Sequence, residues 1–149
     1  MNVDFFMNQA LIEANKAFKA REIPIGGIIV DNNSKKIISR NYNQINKFNN
    51  AIKHCEINLI IETCEKLNQK YLENMTMFVT LEPCSMCASA ISEAHIENIY
   101  FGAYDEKNGG IEKLRIAFER ENIFTPNIYG GIMEEKCKIL LKNFFKKIR

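Results

Sequence analysis

Pro83-Cys84-Ser85-Met86-Cys87 limits what this chain can become more than any other stretch. Residues three apart on a helix are neighbours, so the two sulfurs share one face of a turn at a common zinc-ligand spacing. A proline just before the first cysteine suits a helix start, where its missing N–H costs nothing. Thiolates placed there sit at the positive helix end, which favours the deprotonated form that binds metal. The pair needs a further ligand, and the chain has only two histidines. His54, in His54-Cys55-Glu56, completes a set of three. Three protein ligands and one open position describe a catalytic zinc rather than a structural one. Cys55, Cys64 and Cys137 form no second C-x2-C that could close a four-ligand site. Cys64 and Cys137 fall on apolar stripes and read as small core residues. Cys55 reads as a small buried residue. His95 belongs to no motif and reads as part of a helix end.

Glu56 lies two residues after His54, a separation that sends side chains to nearly opposite faces of a regular helix. Both face one site only where the helix begins, aimed at the metal. A carboxylate so placed suits proton transfer beside the ion. C-x2-C alone equally suits a redox or structural pair, and H-x-E alone carries little. Together, in this order and separated by a helix and a strand, they form the H-x-E…P-C-x-x-C pattern of zinc nucleobase deaminases.

The 149 residues are expected to form a single domain, 1–149, with a real hydrophobic core. Hydrophobic content of 46% and charged content of 26% are those of a globular protein. The five cysteines, an odd number beside a metal motif, point to reduced thiols and a cytoplasmic setting. No signal-peptide pattern stands at Met1-Asn2-Val3-Asp4, and no apolar run reaches the ~18 residues that would cross a membrane. A net charge of +2 leaves any affinity for nucleic acid to a local patch.

Along the chain, residues 4–20 read as an amphipathic helix with Leu11, Ala14 and Phe18 inward and Glu13, Asn15, Lys16 and Lys19 between them. Ile23-Pro24-Ile25-Gly26-Gly27 breaks it and leads to a strand at 28–30. A turn at 31–34 returns a second strand at 36–39, and a polar loop runs from Arg40 to about Asn50. His54 opens a helix expected to turn Ile57, Ile60, Ile61, Cys64 and Leu67 inward. A strand at 77–81 delivers the chain to Pro83, and a helix covers 85–94. A strand at 99–102, a turn-rich loop at 105–110, a loosely helical stretch at 111–120 and a strand at 128–132 follow. Cys137, Leu140, Leu141, Phe144 and Phe145 mark a closing helix. Strands alternating with helices after a first hairpin imply an α/β fold, a sheet covered on both faces.

Over nearly its whole length the chain resembles the cytidine-deaminase-like superfamily, and within it the bacterial tRNA-specific adenosine deaminases. Arg21-Glu22-Ile23-Pro24-Ile25-Gly26, Thr80-Leu81-Glu82-Pro83-Cys84, Phe101-Gly102-Ala103, Asp105 and Asn143-Phe144-Phe145 carry the likeness. The resemblance implies a three-layer α/β/α sandwich with a five-stranded mixed sheet, a homodimer, one Zn2+ per chain, and deamination of adenosine to inosine at the tRNA wobble position. It matches His54, Cys84 and Cys87 to the zinc ligands and Glu56 to the proton shuttle. Asn43 matches the asparagine that reads the target base, Asp105 a loop residue touching RNA, and Phe145 an aromatic near the bound anticodon stem-loop. Asn50-Ala51, Cys55, Tyr104 and Gly109-Gly110-Ile111-Glu112 depart from the usual words. Lys138, Lys142, Lys146, Lys147 and Arg149 would meet phosphates, or merely form a solvated helix face. Two other readings stand beside this one: a deaminase of free guanine or cytosine, and a zinc-stabilised binding module without turnover. A module has no need of Glu56.

Overall fold

The computed structural model describes residues 1–111 and 122–148. Its elements are α1 (Val3–Lys19), β1 (Gly26–Asp31), β2 (Ile37–Tyr42), α2 (Cys55–Leu67), β3 (Met75–Leu81), α3 (Ser85–Glu93), β4 (Asn98–Ala103), β5 (Asn127–Tyr129) and α4 (Glu134–Lys147). The five strands form one sheet in the order β2-β1-β3-β4-β5. β1 runs antiparallel to both β2 and β3, whereas β3, β4 and β5 are parallel. The mixed sheet is the one the resemblance implies.

Alternation along the strands splits the core in two, because successive side chains of a strand point to opposite faces. Ile29, Met77, Val79, Ile99 and Phe101 join Cys55 and Leu59 of α2 and Ala88 and Ile91 of α3 on one face. Ile28, Val30 and Phe78 join Phe6, Met7, Ala10 and Leu11 of α1 and Cys137 of α4 on the other. α1 and α4 lie side by side in the same direction: Asn8 and Asn15 of α1 and Lys136 and Asn143 of α4 line one groove, and Phe144 packs edge-on to Phe18.

Several details depart from the expectations. Gly26 and Gly27 belong to β1 rather than to the preceding break. A Cβ on Gly27 would stand 2.7 Å from the Phe78 carbonyl oxygen, 3.0 Å from Leu59 Cδ1 and 3.1 Å from Cys55 Sγ. The missing side chain therefore lets the first turn of α2 lie directly on the sheet. In α2 the buried residues are Cys55, Glu56, Asn58, Leu59 and Thr63, and Ile61 is exposed. Glu13, expected outward, is buried, its Oε2 accepting from Lys16 Nζ at 2.9 Å and Arg40 at 3.4 Å. β5 ends at Tyr129, short of the expected 132. Beyond Ile111, the stretch expected to be loosely helical lies outside the described residues.

Candidate metal centre and its flanking loops

His54 and Cys84 are both N-cap residues, of α2 and α3. Each has the extended backbone usual at that position, yet neither side chain caps its helix. Both side chains turn instead toward one point between the helices. His54 Nδ1 lies 3.7 Å from Cys84 Sγ and 3.5 Å from Cys87 Sγ, the latter from the first turn of α3. A tetrahedral ion with usual zinc bond lengths holds such N···S pairs about 3.6 Å apart, so both His54–cysteine separations suit a shared metal. Among the described residues, these three are the group whose ligand atoms come together in this way. Pro83 sits one place outside the N-cap rather than in the first turn.

Glu56, in the first turn of α2, is 4% exposed. The helix start brings it to the same point as His54, as the two-residue spacing requires. Burial pushes its carboxyl up to about 7, with the Cys84 sulfur adding to the rise and His54 opposing it. Cys84 is drawn down to about 4, because the Cys87 thiol and His54 hydrogen-bond to its sulfur. Cys87 moves the other way, its proton held by Cys84 and its charged form disfavoured by burial. The bond to Cys84 also raises His54. Without metal, then, one thiolate is balanced by shared protons. A divalent cation replaces those protons and lets both sulfurs ionise.

Two loops flank the cluster. Residues 43–53 lead into His54. Asn43 is buried, and its Oδ1 accepts the Cys55 N–H at 2.8 Å, capping α2 in place of the His54 side chain. That bond leaves the Asn43 amide NH2 as the group free to donate. Asn58 Nδ2 donates to the carbonyls of Tyr42 (3.1 Å) and Lys53 (3.3 Å), tying both ends of the loop to α2. The second loop, 105–110, lies against the Cys84 turn through a bridge between Cys84 and Gly109. Buried Glu82 accepts the Asp105 N–H at 3.1 Å. Asp105 Oδ1 in turn accepts from the backbone of Lys107 and Asn108. Asp105 thus shapes its own loop, a role its sequence position did not disclose.

Phe145 lies on α4, on the opposite side of the sheet, exposed and edge-on to Phe144. No contact joins it to the metal cluster among the described residues. Its end of α4 nevertheless sits beside Phe18, near the end of α1. Lys138 is engaged by Glu134 at 3.2 Å, and the Lys147 ammonium stands 5.6 Å from the Phe18 ring centre. Arg149 lies outside the described residues. His95 is away from the cluster, stacked between Tyr71 and Phe124 with ring centres 4.5 and 4.9 Å away. Its φ of 59° and its N–H bond to Ser92 make it the residue that ends α3. Cys64 and Cys137 are also apart from the cluster, Cys137 beneath Gly102. Sequence reasoning missed Glu22, Glu82 and Asn58. A charged or amide residue at a position that folds inward was the available signal. No helix among the described residues is long and apolar enough to cross a membrane.

Comparison with known proteins places this geometry in context. The MafB19-like deaminase family matches residues 1–149. The tRNA-specific adenosine deaminase of Rickettsia bellii is 43% identical over 144 residues, covering 96% of this chain and 99% of that protein. The solved structure of a tRNA:A34 deaminase, from work on A-to-I editing at the wobble position, superimposes with a TM-score of 0.85. It is 37% identical, covering 91% of this chain and 98% of that one. A guanine deaminase from Nitrosomonas europaea shares the fold with a TM-score of 0.81 over 95% of this chain and 83% of its own, at 15% identity.

Proposed function

The chain belongs to the MafB19-like deaminase family, and from that membership we propose that it is a zinc-dependent hydrolase converting adenosine to inosine at the wobble position of tRNA. The observation that carries the reading is 43% identity, along 96% of the chain, to a tRNA-specific adenosine deaminase, in a chain whose His54, Cys84, Cys87 and Glu56 meet at one point. His54, Cys84 and Cys87 would hold the zinc, which when bound would supply Lewis acidity and a water nucleophilic near neutral pH. Glu56 accepts a proton from the attacking water and delivers it to a ring nitrogen of the adenine; it then takes the remaining hydroxyl proton and passes it to the C6 amino group, which departs as ammonia. Water attacks C6, and the balance is adenosine plus water to inosine plus ammonia. The Asn43 NH2 donates to the base and fixes its orientation. Asp105 lies in a loop that touches the RNA beside the extruded nucleotide, and Phe145 stands near the bound anticodon loop. The protein acts as a homodimer in the cytoplasm.

The deciding assay follows inosine formation in an anticodon stem-loop with adenosine at the first anticodon position, against ammonia release from free guanine, cytosine and adenosine. The stem-loop is expected to be the far better substrate, because phosphate contacts and stacking of flanking bases add binding that a single base lacks. Efficient turnover of free guanine with the stem-loop ignored would replace this reading with the free-base one. One zinc per chain by elemental analysis, lost in Cys84→Ser and Cys87→Ser but kept in Cys64→Ala, is the matching metal result.

A further inference from the structure

α1 ends in a Schellman motif. The Arg21 N–H bonds the Phe18 carbonyl, the Glu22 N–H bonds the Ala17 carbonyl at 2.9 Å, and Arg21 has a φ of 62°. The residue in Glu22's place is usually apolar, since it packs back on the last helical turn. Here it is a carboxylate, 2% exposed. Burying a charge costs far more than burying a leucine unless strong hydrogen bonds offset it, so helix termination alone gives no reason for a glutamate.

Its partners do. Glu22 Oε1 accepts the Asn46 N–H at 3.0 Å, and Oε2 accepts the Lys47 N–H at 2.8 Å. Both amides belong to the loop that carries Asn43 and runs into His54. Asn46 Nδ2 adds a bond to the Arg21 carbonyl at 3.3 Å, and the Asn43 N–H bonds the Ile25 carbonyl at 3.1 Å. The segment 21–25 is therefore a rail along which the loop is pinned, with the Glu22 charge at its centre. Charge-assisted bonds of this kind are roughly twice as strong as neutral ones.

We propose that Glu22 is a positioning residue of the site, its carboxylate fixing loop 44–53 so that Asn43 stays in place to cap α2 and meet the base. The role in substrate binding rests on the tRNA reading above; the role in holding Asn43 does not. Glu22→Leu supplies the apolar side chain usual at this place and removes both acceptors. Glu22→Gln keeps the shape and a single acceptor. Both variants are expected to keep the wild-type zinc content and to melt close to the wild type. Amide exchange at Asn46, Lys47 and, through Asn43, Cys55 should accelerate by about tenfold or more. KM for the stem-loop should rise by about tenfold with kcat within about threefold, and Glu22→Asp should recover part of it. Unchanged protection of the Cys55 amide in Glu22→Leu overturns the proposal. So does an unchanged KM in a variant whose loop amides exchange faster, or a drop in melting temperature that accounts for the whole loss. A wild-type protein that ignores the stem-loop refutes the tRNA reading instead, and leaves the exchange result to judge Glu22.

Discussion

Glu56 is buried beside a half-buried histidine and two thiols, and in the metal-free site burial lifts its carboxyl to about 7. A group balanced there accepts and returns protons equally well near neutral pH. Glu56→Gln is expected to retain zinc and fold and to lose about 100- to 10,000-fold in turnover, read by single-turnover inosine assays beside metal analysis. The thiols give a second prediction. Cys84 is lowered to about 4 by its hydrogen bonds to Cys87 and His54, so in metal-stripped protein it remains thiolate as pH falls from 8 toward 5 and is protonated only near 4. Alkylation followed by peptide mass spectrometry should label Cys84 first, at a rate nearly flat across that range, with zinc protecting it. Cys55 and Cys137, raised by burial, should stay unlabelled. Preferential labelling of Cys87 would reverse the assignment. The identity of the ligand residues was readable from spacing; which sulfur carries the charge was not, because it depends on burial and on the distance to a histidine 30 residues away.

At the scale of elements, the site is made by where two helices begin. The two-residue step from His54 to Glu56 already required a helix start aimed at the metal, and the N-cap position of His54 meets that requirement. What the sequence hid was the loop's share in that start. The ordinary cap function passes from His54 to Asn43, twelve residues before the Cys55 amide it accepts. Asn43→Ala should therefore lower stability by about 0.5–2 kcal/mol, the usual worth of a cap, as well as turnover. A melting curve separates the two effects, and a loss of turnover without any change in melting would assign Asn43 to the base alone. Of the α2 stripe, Ile60, Cys64 and Leu67 do pack against the core, and Ile61 was misread for a related reason. Periodicity also favoured Ile61, but a helix starting at the metal must bury Glu56 and Asn58 near its start, which rotates Ile61 into solvent. Polar residues that serve a site do not announce themselves as core.

Over the whole molecule, the covering of the sheet on both faces follows from the alternation of strands and helices. The strand order, with β1 between β2 and β3, is seen only in the structure, where β1 is a glycine-started strand against which α2 can close. α4 lies across the sheet from the metal, but its C-terminal turn stands beside the end of α1, one short connection away from the loop pinned by Glu22. Lys146 and Lys147 are on that turn. Neutralising both is expected to flatten the dependence of stem-loop affinity on salt by a slope of about 1–2, since each phosphate contact contributes about 0.7–0.9. Filter binding from low to moderate salt measures it, and an unchanged slope would leave those lysines as a solvated face. Cys84 and Cys87 follow His54 by 30 and 33 residues. During synthesis at about 5–20 residues per second, the histidine emerges roughly 2–7 s before the second thiol. In the folded chain β3, whose end delivers the chain to Pro83, pairs with β1, so the sheet sets where the two thiols stand relative to His54. The whole donor set thus lies in the first 87 of 149 residues, and the ribosome has still to make β4, β5 and α4 when the last ligand is in the chain.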